Sequence, residues 1–330
     1  MDSDDRWPIV GHKNIIEYLE NSLKAEKLAH AYVFVGPSNL GKALTAKYFI
    51  KSILCKDGTP CNKCKSCKEF EKGIYPDFYD IKVEDGKRNI SIEQIREVMG
   101  KIKESSFSGN FKIILIEEAE KMNLAGFNSL LKSLEEPNRK TVFILITNNI
   151  STLPETVLSR SQVIKFHGVG SEEILKHLLF LGVNKEVAFE AIGFSNGKPG
   201  LAIEYSKNKK LVDGYKILVN NFLHLLNSPI NEKFNYIDKL MGKKTFKEKA
   251  DIAERVIDSW LLVLRDLLLT KNSYFNSISH VFALDRIKVV SNNYSNKEIV
   301  KIIDRASEAK INLKKNVNPQ LIIENLSLSF

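Results

Sequence analysis

The sequence has 330 residues, of which 43% are hydrophobic and 27% charged, and its net charge is +9. This length predicts two or three domains, and the composition excludes collagen-like, disordered and low-complexity chains. No apolar run approaches the roughly 18 residues of a membrane-spanning helix, and the acidic start at residues 1–5 is unlike a signal peptide. We therefore expect a globular cytoplasmic protein without membrane contact, whose positive charge permits contact with a polyanion.

The first half of the chain alternates strand-like and helical segments. Several of the predicted strands are continuously apolar, which is typical of a parallel sheet covered by helices on both faces. Helical patterns lie between them, and Ser91 with Gln94 predicts the start of one helix. Residues 1–168 are therefore predicted to form an α/β domain with strands at 31–35, 78–83, 112–116, 142–146 and 163–166.

A phosphate-loop pattern follows the first predicted strand. Gly36, Gly41 and Lys42 have the G-x4-G-K spacing, in which backbone N–H groups face a phosphate and the lysine neutralises its oxygens. The next residue of such loops supplies a hydroxyl ligand for Mg²⁺, but here it is Ala43. The pattern predicts phosphate contact without a complete magnesium site, and a plain strand-to-helix turn is the alternative.

All four cysteines of the chain lie in one short segment, in the pattern C-x5-C-x2-C-x2-C. Four thiolates within reach of one point are what a structural zinc site requires, and four protein ligands leave no position for catalysis. Two local disulfides or free thiols are the alternative, which a reducing cytosol disfavours. The sequence therefore predicts a structural zinc module at residues 55–67, with the ligands Cys55, Cys61, Cys64 and Cys67.

Two carboxylates, Glu117 and Glu118, follow the predicted strand at 112–116. A hydrolytic phosphate site normally has an aspartate at the first position to hold the metal, and a glutamate is longer. Together with Ala43, this difference predicts that ATP hydrolysis by the chain alone is weak or absent.

Strand-like patterns largely disappear after His167, and the rest of the chain is predicted to be helical. Ser171 begins one helix, Gly182 ends it, and residues 196–200 form a loop before the next. We expect a small helical lid domain at 169–208 and an all-α domain at 209–330. The apolar stripe that includes Trp260 and Leu264 is interpreted as core of the latter domain.

The ordered motifs of residues 8–204 resemble those of bacterial AAA+ clamp-loader subunits. The most specific segment is 128–137, with the sequence NSLLKSLEEP, and the segments 28–34, 75–78 and 118–122 follow the family order. The resemblance implies an α/β AAA+ P-loop domain with a zinc-binding insertion, a helical lid and an α-helical collar that holds a ring of subunits together. It also implies that Asn148 lies at the first sensor position and that Ser159 and Arg160 belong to the Ser-Arg-Cys motif.

The family resemblance also bears on ATP. Leu201 lies where ATP-hydrolysing relatives carry a second sensor arginine, whereas Arg160, the arginine that reaches the ATP of a neighbouring subunit, is kept. This combination resembles the rigid stator subunit of the family better than its ATP-hydrolysing subunit. A structural Arg160 paired with a local carboxylate is the alternative.

The partners that this resemblance implies are the ATP-hydrolysing and clamp-opening subunits, the sliding clamp and, through the complex, primed DNA. Bound zinc is expected, and ATP with Mg²⁺ is doubtful in this subunit. Two rival functions are a self-sufficient ATPase, against which Ala43 and Leu201 argue, and a zinc-dependent DNA-binding protein. The cysteine segment carries no recognition helix, which disfavours the second rival.

Overall fold

The computed structural model describes residues 7–103, 106, 111–137, 140–313, 315 and 317–330. The acidic start at 1–5, which underlies the prediction about signal peptides, lies outside these residues. Within them, no helix is long and apolar enough to cross a membrane. The chain divides into two compact units, Met1–Ile174 with Gly197–Gly200 and Leu175–Asn196 with Leu201–Phe330. The further division of the second unit into lid and collar stays a prediction.

The first unit contains a five-stranded parallel sheet, as predicted. Its strands are β1 (Ala31–Val35), β2 (Phe78–Ile81), β3 (Lys112–Ile116), β4 (Thr141–Thr147) and β5 (Gln162–Lys165), in the order β2-β3-β4-β1-β5. The helices before and between them are α1 (Lys13–Lys24), α2 (Lys42–Leu54), α3 (Lys65–Glu71), α4 (Ile92–Lys103), α5 (Leu124–Glu135) and α6 (Glu155–Leu158). Ser91 and Gln94 bond reciprocally at the start of α4, which confirms the predicted helix start.

Apolar side chains cover both faces of this sheet, because successive residues of a strand point to opposite sides. Val33 and Ile114 belong to one core, and Tyr32, Phe34 and Ile144 belong to the other. Every residue of β1, β3 and β4 is buried. The prediction of a sheet covered by helices on both sides is confirmed, and it places the carboxyl ends of the parallel strands at one edge, where the phosphate loop lies.

The remaining helices are α7 (Ser171–Phe180), α8 (Lys185–Ser195), α9 (Pro199–Lys207), α10 (Lys209–Leu225), α11 (Ile230–Met241), α12 (Phe246–Lys271), α13 (Leu284–Asn292), α14 (Asn296–Leu313) and α15 (Pro319–Ser327). They confirm the predicted helical second half, but the loop predicted at 196–200 covers only residues 196–198, because α9 begins at Pro199, a residue suited to the first turn of a helix. Trp260 of α12 is buried and stacks on Phe222 with a centroid distance of 4.6 Å. Trp260 and Leu264 belong to the core of the second unit, as interpreted from their spacing.

Candidate functional site

The predicted phosphate loop connects β1 to α2 at the carboxyl edge of the sheet. Gly36 has a φ of 151°, and a Cβ at this position would lie 2.3 Å from the carbonyl oxygen of Phe166. Gly41 has a φ of 88° and caps the N-terminus of α2. These two glycines let the backbone turn tightly between the strand and the helix, so the structure brings Gly36, Gly41 and Lys42 together as the sequence predicts.

Lys42 is buried at the centre of this loop. Its Nζ donates to the carbonyl oxygens of Gly36 at 2.5 Å and Pro37 at 2.7 Å, and to Oδ1 of Asn148 at 3.0 Å. Burial lowers the pKa of Lys42 to about 8, against the opposing attraction of the Glu120 carboxylate. The two loop carbonyls and Asn148 together accept from all three N–H groups of the ammonium.

Asn148 and Glu120 extend this network along the edge of the sheet. The backbone N–H and the Nδ2 of Asn148 donate to Oε1 of Glu120, at 3.2 and 2.9 Å. The other carboxylate oxygen of Glu120, Oε2, is buried without a hydrogen-bond partner among the described groups. Asn148 is a predicted site residue, whereas Glu120 is not, although it lies in the family segment 118–122 that follows β3. Glu120 is therefore the carboxylate that is linked through Asn148 to Lys42 of the phosphate loop.

The predicted residues on the magnesium side of the loop are Ala43, Glu117 and Glu118. Ala43 has no side-chain oxygen, and Glu117 forms a loose ion pair with Lys47 of α2, with 3.9 Å between Nζ and Oε1. Glu118 is exposed, with a φ of 53° at the start of a 3-10 turn. Neither glutamate contacts Lys42 in the part of the chain that the structure describes. The predicted carboxylates thus flank the loop but do not complete a metal site.

The four cysteines converge, as their spacing predicts. All four are free, and their Sγ atoms lie within 4.8 Å of one another. In a tetrahedral site with Zn–S bonds of about 2.3 Å, the sulfur atoms lie about 3.8 Å apart, and the Sγ atoms of Cys61 and Cys67 are separated by 4.0 Å. The arrangement can therefore hold a metal ion with little change.

Backbone N–H groups point at these sulfur atoms. Cys64 N donates to Cys61 Sγ at 3.3 Å, and Cys67 N donates to Cys64 Sγ at 3.4 Å. The N–H groups of Cys64 and Lys63 lower the pKa of Cys61 to about 6. Donors of this kind stabilise a thiolate, which is the form that binds a metal. Lys51 of α2 then bonds Asn62 Oδ1 at 2.8 Å, and so ties the segment to the sheet-packing helix.

Arg160 follows α6 on the surface of the first unit. Its Nη1 donates to the carbonyl oxygen of Thr156 at 3.0 Å and to Oγ of Ser159 at 3.3 Å. Its Nη2 lies 3.0 Å from Oε1 of Glu135, and the two side chains are 36% and 50% exposed. Ser159, the other residue of the predicted motif, thus contacts Arg160 directly. Arg160 therefore has a local carboxylate and also a partly exposed guanidinium.

Comparisons with known proteins find similarity to DNA polymerase III subunits. The family model described as DNA polymerase III, delta subunit, matches residues 11–170. The chain is 30% identical over 317 residues to the DNA polymerase III delta' subunit of Bacillus subtilis, covering 95% of this chain and 94% of that protein. It is 29% identical over 323 residues to the DNA polymerase III gamma subunit of Buchnera aphidicola, covering 92% of this chain and 86% of that protein.

Proposed function

The chain belongs to the family of DNA polymerase III clamp-loader subunits, and within this family we propose that it is a non-hydrolysing subunit of the delta prime type. In this role it braces the ring of subunits and presents Arg160 to ATP bound by a neighbouring subunit. Its proposed partners are the ATP-hydrolysing and clamp-opening subunits, with the sliding clamp and primed DNA reached through the complex in the cytoplasm. The family relationship supports these partners.

The observation that carries the proposal is the incomplete metal side of the phosphate loop. Lys42 and the two glycines are in place, but Ala43 offers no ligand, and the residue after β3 is Glu117 where a hydrolytic site has the shorter aspartate. Phosphoryl transfer relies on metal ions to bridge the phosphates and to neutralise the charge that develops on them. In this loop the ammonium of Lys42 donates to Gly36, Pro37 and Asn148, and position 43 lacks the hydroxyl that would hold a magnesium ion, so the loop disfavours hydrolysis.

The exposure of Arg160 supports the role toward a neighbouring subunit. Arg160 donates two hydrogen bonds, to Thr156 and Ser159, and forms an ion pair with Glu135. An exposed ion pair contributes only about 0–1 kcal/mol, so the pairing with Glu135 does not commit the guanidinium to a structural role. An arginine offered in trans stabilises the transition state and raises the rate by about 10³–10⁵ in phosphate-transferring enzymes.

Zinc is the metal that the cysteine cluster fits best. Four sulfur donors within 4.8 Å of one another match a tetrahedral site made only of thiolates, for which zinc is the usual ion. Cys55, Cys61, Cys64 and Cys67 would hold it, and the bound ion would supply a cross-link with no open coordination position. The cluster joins the end of α2 to the start of α3, so its role is to fix this insertion.

The test separates hydrolysis by the chain from activation of a neighbour. The isolated chain should not turn over ATP at about 1 s⁻¹, which is the low end of typical enzyme rates. The complex reconstituted with its cognate subunits should hydrolyse ATP. Arg160→Ala should abolish turnover at the one site that faces this chain. Arg96→Ala, which removes an exposed arginine of the same unit, serves as the matched control. Equal turnover with Arg160→Ala and Arg96→Ala would overturn the proposal.

A further inference from the structure

The carboxylate that contacts Arg160 comes from a different part of the chain. Glu135 is the last residue of α5, whereas Arg160 follows the C-terminus of α6, and these two helices pack against each other. The Oε1 of Glu135 lies 3.0 Å from Nη2 of Arg160. The pair thus connects the end of one helix to the arginine on the next, across 25 residues of sequence.

The contacts on the guanidinium come from two directions. Thr156 and Ser159, both from the α6 segment, accept hydrogen bonds from Nη1, and the Glu135 carboxylate forms an ion pair with Nη2. An arginine side chain carries about 2 kcal/mol of rotamer entropy, which three contacts on two nitrogens restrict before any partner arrives. The remaining N–H donors are left to meet a phosphate oxygen.

We propose that Glu135 is the positioning residue of Arg160, and that it holds the guanidinium in the orientation in which the arginine meets the ATP of the neighbouring subunit. This inference rests on the proposed role of Arg160 in trans. Glu135 acts through the arginine and does not itself touch the nucleotide. Because the pair is exposed and contributes little to folding, its loss should change catalysis much more than stability.

The next residue provides a matched control. Glu136 caps the end of α5, is exposed, and forms no ion pair in the part of the chain that the structure describes. Glu135→Gln and Glu136→Gln therefore remove the same charge from adjacent positions, but only the first removes the negative charge that pairs with Arg160. Any effect of net charge on assembly is common to both variants.

The experiment measures ATP hydrolysis in single-turnover mode, in the complex reconstituted from purified cognate subunits. Glu135→Gln should lower the rate constant at the site facing this chain by up to about fivefold, the factor by which an exposed ion pair can favour one orientation of the arginine. The KM for ATP and the melting temperature should stay unchanged. Glu135→Asp should restore part of the rate, Glu136→Gln should have no effect, and Glu135→Gln should add nothing in an Arg160→Ala background.

The outcomes separate the two levels of the proposal. If Arg160→Ala leaves hydrolysis unchanged, the role of Arg160 in trans fails, and the inference about Glu135 fails with it. If Arg160→Ala lowers hydrolysis but Glu135→Gln matches Glu136→Gln, only the positioning role is overturned. A faster rate with Glu135→Gln would also overturn it, because the carboxylate would then restrain the arginine instead of presenting it.

Discussion

A buried polar network in the helical unit gives a sharp test of the fold. Asp266 of α12 and His280 have no solvent exposure. The Oδ2 of Asp266 accepts from Nδ1 of His280 at 2.8 Å and from the backbone N–H groups of Ser279 and His280, both at 2.9 Å. On its other side, Nε2 of His280 lies 3.0 Å from the hydroxyl of Tyr215, which donates to it if Nδ1 carries the proton.

Asp266→Ala should strongly destabilise this unit. The substitution leaves three N–H donors without their acceptor, of which the two of His280 are buried and the one of Ser279 is half-buried. An unsatisfied buried polar group costs about 1–3 kcal/mol. Because these costs are not fully additive, we expect a loss of about 3–5 kcal/mol in the free energy of unfolding. Tyr215→Phe removes only one neutral hydrogen bond of the network, and should cost about 1 kcal/mol.

Urea denaturation followed by tryptophan fluorescence measures this loss. The chain has two tryptophans, of which Trp7 lies in the first unit and Trp260 in the core of the second. A Trp7→Phe background therefore leaves Trp260 as the reporter of the helical unit. If the unfolding free energy of Asp266→Ala lies within about 0.5 kcal/mol of the parent value, which is the effect of a typical surface substitution, the network is not formed in solution and the reasoning is wrong.

Three further predictions concern the metal, the phosphate loop and α8. Purified protein should contain about one equivalent of zinc, and Cys64→Ser should lose both the metal and thermal stability; zinc-free protein that melts at the parent temperature would exclude a structural ion. Burial lowers the pKa of Lys42 from 10.5 to about 8, so between these values the unfolded chain holds a proton that the folded chain has lost. The difference in unfolding free energy between the parent and Lys42→Met should therefore rise with pH across that window, by on the order of 2 kcal/mol. A difference that does not change with pH would contradict the burial of Lys42. Gly193→Ala places a Cβ 2.7 Å from the carbonyl oxygen of Ser279 and should cost about 1–3 kcal/mol in denaturation, whereas Gly214→Ala, in open space on α10, should be neutral or stabilising by up to about 1 kcal/mol.

Short-range patterns in the sequence predicted the elements and the loops. The continuously apolar strands predicted a parallel sheet buried on both faces, and the spacing of Gly36, Gly41 and Lys42 predicted the loop that the structure contains. The cysteine spacing predicted the convergence of the four thiols. These features depend on residues close in sequence, where backbone geometry and periodicity fix which side chains meet.

The partners of the functional side chains lie far away in sequence and needed the tertiary structure. Asn148 reaches Lys42 across 106 residues, and Glu120 bonds Asn148 across 28. Glu135 reaches Arg160 because α5 and α6 pack together, although no spacing pattern links the two residues. The sequence by itself determined which residue types are present and which local elements they form. Only the packing of strands and helices decided which charges meet, because ion pairs and hydrogen bonds act over a few ångströms in space, whatever the separation along the chain.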